Sequence, residues 1–167
     1  MSLIELDVIS SALTEEFLTF VLGDETYALD IMAVKEIRGY EDSTKIANAP
    51  DYIKGVINLR GDIVPIVDLR IKFGIGEPIY NEWTIVIMLN VGTRIAGIVV
   101  DAVSDVVALN DEGIKPPPEF GTAFDSRYLR GLATVDDHMV IIVNIDELIS
   151  SDELISSDEL GLFDAER

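Results

Sequence analysis

Apolar residues in this chain come in short runs broken by tight polar stretches, the pattern of strands joined by hairpins. Phe17-Leu18-Thr19-Phe20-Val21-Leu22 reads as a strand, Gly23-Asp24-Glu25 as a hairpin turn, and Thr26-Tyr27-Ala28-Leu29-Asp30 as the return strand. Ile31 to Ile37 fits a short helical turn leading into a third strand, and residues 38–54, with Gly39 and Pro50, read as a loop. Gly55-Val56-Ile57-Asn58-Leu59 and Ile63-Val64-Pro65-Ile66-Val67 then flank the polar turn Arg60-Gly61-Asp62. β-Branched residues dominate both runs, and glycine suits the positive φ of such a turn. Pro65 has no N–H to give a ladder, so its strand is expected at a sheet edge or at a bulge. Asp68 stands where a helix N-cap would be, ahead of Leu69-Arg70-Ile71-Lys72-Phe73. Residues 1–14 carry few structural signals and are expected to form a flexible arm, with order beginning at Glu16.

The second half repeats this plan. An offset of 69 places Phe17–Ile37 over Val86–Val106 without a gap, bringing Gly23 onto Gly92, Ala33 onto Ala102, Val34 onto Val103 and Glu36 onto Asp105. An offset of 76 places Gly55–Leu69 over Gly131–Ile145, bringing Val64 onto Val140, Ile66 onto Ile142 and Asp68 onto Asn144. The longer connection of the second copy, residues 107–130, contains Pro116-Pro117-Pro118, as a loop does. Ordered recurrence of strand–turn–strand units predicts an all-β fold of two related modules, about 15–80 and 81–150, each of about five short strands. Sheets this short hide their edges by closing, so two small β-barrels packed together, with short helices at connections and at the C-terminus, are expected.

The polar tip does not recur. Asn58-Leu59-Arg60-Gly61 in the first copy becomes Thr134-Val135-Asp136-Asp137 in the second. Polar residues and glycine belong in any hairpin turn. A residue needed only to make the turn should nevertheless recur with it, and this contrast favours a specific role for Asn58 and Arg60. The Arg-Gly-Asp triplet has an integrin-ligand reading, set aside because nothing in the chain points to secretion.

The C-terminal sequence Asp-Glu-Leu-Ile-Ser-Ser occurs at 146–151 and again at 152–157, and a third unit begins at Asp158. A six-residue period advances ~600° round an α-helix, so successive Leu-Ile pairs turn ~120° apart and no single face keeps them all. Asn144/Glu147, Ser150/Glu153 and Ser156/Glu159 each resemble an N-cap with its third-position partner. Residues 151–167 are read as an acidic tail with a short helix.

Composition narrows the chemistry. The 167 residues are 49% hydrophobic, enough for a packed core, and include no cysteine, which removes disulfides and thiolate ligands. Thirty-one acidic residues against 12 basic give a net charge of −19, which repels phosphate backbones and anionic membrane surfaces. The same charge favours basic partners, or simply keeps the protein soluble. The opening Met1-Ser2-Leu3-Ile4-Glu5 lacks the basic segment of a signal peptide, and the apolar runs fall short of the ~20 residues of a membrane span, so a cytoplasmic location without direct membrane insertion is expected. Enzyme motifs are missing. Gly92-Thr-Arg-Ile-Ala-Gly97 has phosphate-loop spacing without the following Lys-Ser/Thr, there is no Gly-x-Ser-x-Gly elbow, the acidic pairs do not have EF-hand spacing, and His138 is the single histidine. Neither a cofactor nor a metal is expected.

The stretches FLTFVLGDETYALDI, VKEIRGY, IKGVINLRGDIVPIVDLRIKFG, GIVVDAVSDV and VIIVNIDEL follow one another, from about Glu16 to Leu148, as in the CheW family of bacterial chemotaxis adaptors, which this sequence resembles. The resemblance implies two intertwined SH3-like barrels and no catalysis. It implies a cytoplasmic adaptor, recruited to receptor clusters, that binds the cytoplasmic tip of a chemoreceptor and the regulatory domain of the histidine kinase CheA. By position it carries Ile31, Val34, Glu36, Asn58, Arg60 and Gly61 into the family's protein-binding region. Ile31 and Val34 would then be exposed apolar contacts, with Glu36 and Arg60 adding orientation and specificity and a Glu36–Arg60 pair fixing the arginine. The competing class is an enzyme or small-ligand binder using a crevice between the barrels. A third reading is an interaction module of another pathway.

Overall fold

Ten strands make up most of the structure, a computed structural model that describes residues 14–75, 77–117 and 126–149. They are β1 (Thr14–Leu22), β2 (Glu25–Asp30), β3 (Val34–Gly39), β4 (Ile53–Leu59), β5 (Asp62–Asp68), β6 (Ile85–Val91), β7 (Arg94–Val100), β8 (Ala102–Asn110), β9 (Leu129–Val135) and β10 (His138–Val143). A 3-10 turn at Ile31–Ala33 leads into β3, as expected. Helix α1 (Leu69–Phe73) follows β5 and α2 (Ile145–Leu148) follows β10. The N-caps are those read from the sequence: Asp68 accepts from Arg70 N, and Asn144 from Glu147 N. The N-terminal arm up to residue 13 and the acidic tail lie outside the described residues.

The strands form two five-stranded sheets, ordered β8-β1-β2-β10-β9 and β3-β6-β7-β5-β4. The two offsets of the repeat carry one sheet onto the other strand by strand. Ile142 faces Ala28 across the parallel β10–β2 ladder, and Ile66 faces Gly97 across β5–β7. Thr19 faces Asp105 and Met88 faces Glu36, each beside a register shift. The fold is therefore two SH3-like units related by a pseudo-two-fold axis. The expected linear division, 15–80 and 81–150, does not coincide with the sheets, because each sheet takes strands from both halves. The two parallel pairings join β2 of the first copy to β10 of the second, and β5 of the first to β7 of the second. An apolar pattern tells a strand which face to bury but not which neighbour to pair with, so the exchange is invisible in the sequence.

The central strands of each sheet are buried on both faces, which explains their nearly continuous apolar runs. Alternate residues serve different cores: Val86 and Met88 of β6 point into one barrel with Val64 and Ile66, while Ile87 and Leu89 point to the other face. There they meet Phe20, Leu22, Leu29, Val67 and Ile98 in the largest cluster, which the two sheets share. Phe17, Ala28, Val140 and Ile142 fill the second barrel. Pro65 follows the second of its two alternatives: its strand β5 is internal rather than at an edge, and the β4–β5 pairing shifts register between Ile53 and Gly55, opposite Val67 and Ile66 beside the proline. The pairing with β7 begins only at Ile66, so the missing N–H falls before the parallel ladder starts.

A charge network centred on buried Arg70 ties the two copies together. Arg70 of α1 is almost fully buried, and its Nε and Nη2 donate to the two carboxylate oxygens of buried Asp68 at 3.1 and 3.0 Å. Its Nη1 donates to Asp101 Oδ1 at 3.0 Å and to the Ile79 carbonyl at 2.9 Å. Asp101 Oδ2 accepts from Gly23 N of the β1–β2 turn at 2.7 Å, so the network bridges the two sheets. Nothing in Leu-Arg-Ile-Lys-Phe distinguishes this arginine from an exposed one.

Candidate functional site

The β4–β5 turn is a two-residue loop, Arg60-Gly61, closing the Leu59–Asp62 pair. Both residues have positive φ, 52° and 95°, the geometry of a type I′ hairpin turn. Asn58 Oδ1 accepts from Gly61 N at 2.8 Å, which locks the turn. Asn58 and Gly61 therefore shape the tip, and Arg60 projects from it.

Arg60 Nη2 donates to Glu36 Oε1 at 2.5 Å. Glu36 lies on β3, and β3 and β4 are the two edge strands of their sheet, so this bond fixes the turn against the opposite edge and helps close the barrel. The Arg60 side chain stays 68% exposed while Glu36 is 30% exposed, leaving much of the guanidinium available to a partner. The hydrogen bond from Arg60 holds the Glu36 carboxyl below the usual carboxylate range, aided by the charges of Arg60, Arg38 and Lys35 and opposed by desolvation. An exposed pair of this kind orients a side chain more than it stabilises a fold. At the pseudo-equivalent places of the other sheet stand Asp105 and Asp136, two acids that cannot form such a pair.

Of the six residues read from the sequence, Glu36, Asn58, Arg60 and Gly61 are gathered here. Ile31 and Val34 sit elsewhere than expected: both are half-buried and pack against the shared core, so they support the site from beneath. The exposed apolar residues are their neighbours. Met32 is 83% exposed, turned out where the side chain of Asp30 accepts from Met32 N at 2.9 Å and starts the 3-10 turn. Ile37 on β3 and Ile63, opposite Asn58, are also exposed. Sequence reasoning missed these three because an alternating apolar pattern does not mark their exposure: Met32 lies in a 3-10 turn, Ile37 on the edge strand β3, and Ile63 at the start of β5 before its pairing with β7 begins. Their pseudo-equivalents recur for two of them, Val106 for Ile37 and Met139 for Ile63, both exposed. The apolar surface at Ile37 and Ile63 is thus doubled while the cationic tip is single. Among the described residues no group of three His, Asp or Glu is placed to hold a metal ion. The space between the sheets, where a ligand crevice would have to open, is where the largest buried cluster lies.

Comparison with known proteins gives one consistent result. Residues 16–153 match the profile of the CheW-like domain family. The chain is 55% identical over 137 residues to the chemotaxis protein CheW of Klebsiella aerogenes, covering 82% of each chain. It is 37% identical over 138 residues to that of Rhizobium meliloti, covering 81% of this chain and 88% of the relative. The crystal structure of the scaffolding protein TtCheW from Thermoanaerobacter tengcongensis superposes with a TM-score of 0.75 at 36% identity, covering 83% of this chain and 90% of that one.

Proposed function

Since the chain belongs to the CheW family and is a chemotaxis coupling adaptor, we propose that it works by holding the cytoplasmic tip of a chemoreceptor and the regulatory domain of the histidine kinase CheA at the same time. The work is scaffolding, done by a cytoplasmic protein recruited to membrane receptor clusters. No helix among the described residues is long and apolar enough to cross a membrane. The observation that supports a specific docking point is the Glu36–Arg60 pair: a guanidinium fixed by one carboxylate, exposed to a second, and not reproduced in the other sheet. Arginine presents a planar fork that can engage a partner carboxylate or carbonyl while Glu36 holds its pose. Met32, Ile37 and Ile63 supply apolar area, worth ~25 cal/mol per Å² buried before the costs of association.

Reconstitution tests the reading. Kinase autophosphorylation is measured with receptor-bearing membranes, with and without the full chain. The chain should raise kinase output only when receptor and kinase are both present, and by itself should neither hydrolyse ATP nor take up phosphate. Phosphate transferred to an aspartate of this chain, or kinase activation without receptor, would overturn it.

A further inference from the structure

At the Tyr40 end of β3, the sheet that carries the Glu36–Arg60 pair continues into a loop that holds one aromatic ring in the open. Residues 77–84 lead into β6. Asn81 organises them: its Oδ1 accepts from Trp83 N at 2.8 Å, its carbonyl accepts from Thr84 N at 3.2 Å, and its own N donates to Thr84 Oγ1 at 3.0 Å. Buried Thr84 donates from Oγ1 to the Ile79 carbonyl at 3.2 Å, the carbonyl that also receives the buried Arg70 guanidinium. The Tyr80 hydroxyl donates to Asp68, and Tyr40 N donates to the Thr84 carbonyl at 2.9 Å. The loop is pinned from the core and from β3, yet Trp83 is 74% exposed, with Ile79 exposed beside it in the same loop.

We propose that Trp83 is a docking residue for the partner protein that engages Arg60, and that its indole face receives a Lys or Arg side chain of that partner. The proposal rests on the adaptor reading. Three observations carry it. The loop is continuous with the Arg60 site: from Glu36 to Tyr40 the strand rises ~13 Å, well inside the span of one protein interface. Its charge suits a cation. The charged residues of the loop are the exposed Glu77 and Glu82, while the nearby cations are engaged elsewhere: Lys54 on the Tyr80 ring at 5.0 Å, Arg38 with Glu41, Arg70 with Asp68 and Asp101. Indole is the aromatic face that attracts a cation most strongly, and a loop already ordered costs little to order on binding. Finally, the fold does not need the ring. The offset of 69 that superposes the strands leads from Trp83 to Thr14, so the equivalent place in the other sheet does without an aromatic residue.

Affinities of the full chain and its Arg60→Ala, Trp83→Ala and Glu77→Gln/Glu82→Gln variants for the kinase regulatory domain and for receptor-bearing membranes decide the matter. Far-UV circular dichroism and melting should be unchanged in every variant. Trp83→Ala should weaken, at least fivefold, the same partner that Arg60→Ala weakens, and the double glutamine variant should weaken it at least twofold. Wild-type affinity of Trp83→Ala for both partners, or a loss confined to the partner that Arg60→Ala spares, overturns the proposal alone. An unaffected double glutamine variant overturns the cationic seat. Failure of the wild-type chain to bind either partner overturns the adaptor reading and this proposal with it.

Discussion

Arg60 sits at φ 52°, a left-handed backbone that costs an ordinary L-residue ~1–2 kcal/mol, and it does so at a turn where Asn or Gly would rest without strain. The equivalent turn uses Asp136 and Asp137, at φ 50° and 65°, a residue type that tolerates this region better. Strain kept at one turn and eased at its twin is expected when the strained side chain has work to do. Replacement by asparagine separates the two roles of the position. Arg60→Asn should melt no lower than the wild type, because the turn is relieved as the ion pair is removed. Its coupling of receptor to kinase should fall at least tenfold, or ~1.4 kcal/mol, the scale expected when a charged anchor is taken out of an interface. Asp136→Ala should leave coupling nearly unchanged. Melting curves and receptor-dependent kinase assays check both, and normal coupling by Arg60→Asn would reduce the tip to a turn.

At the scale of the element, two recurring glycines explain how the hairpins are held. The loop before β4 crosses its free edge, with Thr44 N and O bonded to Val56 O and N at 2.9 Å, and Lys115 does the same to Leu132 of β9 at 2.8 Å. A Cβ on Gly55 would lie 2.3 Å from the Thr44 carbonyl oxygen, and one on Gly131 would lie 2.5 Å from that of Lys115. Both edges are thereby covered by a backbone that only glycine admits, which protects them from pairing with other chains. Gly55→Ala should cost more than ~2 kcal/mol in urea denaturation, since its φ of 146° is also strained for alanine, and Gly131→Ala should cost somewhat less. Gly39→Ala, with nothing within 4 Å of the added carbon, should be close to neutral.

The two barrels meet along a row of aromatic rings, Phe20–Tyr27–Phe73–Tyr128, with neighbouring centroids 5.8 to 5.9 Å apart. Lys72 of α1 lies in this region, its Nζ 4.4 Å from the Tyr52 ring and 5.1 Å from that of Tyr128, which precedes β9 of the other sheet. Burial, with the charge of Arg127 added, pushes its ammonium down to about 8. An unfolded lysine titrates near ~10.4, so between those values the unfolded chain binds more protons and this residue makes stability rise with pH. Below pH 8 the folded state bears the full cost of this half-buried charge. Lys72→Met should therefore stabilise the protein most at pH 7, and its advantage should shrink by pH 9.5. Urea midpoints at the two pH values measure this. A gap that stays constant would mean that Lys72 titrates normally. Higher pH is unsuitable, because burial pushes Tyr27 up to about 12 and its ionisation in the unfolded chain then lowers stability.

Strands, turns and the helix caps at Asp68 and Asn144 were legible in the chain because each depends on neighbours within a few residues. The repeat was legible because both copies keep the same buried faces, down to Gly55 and Gly131. Asn58 and Arg60 stood out by comparing the copies, while Gly61 and the Glu36 partner were expected from the family pattern. Other features depended on packing between residues far apart in the chain. Which β-strand joins which sheet is set by pairings such as Ile142 with Ala28 and Ile66 with Gly97, between segments whose apolar patterns would suit either partner. Ile31, in the 3-10 turn, and Val34, at the start of β3, are half-buried against the shared core while Met32 between them faces out, because only the packed neighbours decide which residues of so short a turn are covered. Arg70 is buried, and Trp83 is not, because the Asp68–Arg70–Ile79 bonds draw one into the interior and hold the loop of the other at its rim. A local pattern fixes which face a residue presents, whereas only the packed neighbours determine whether that face is covered.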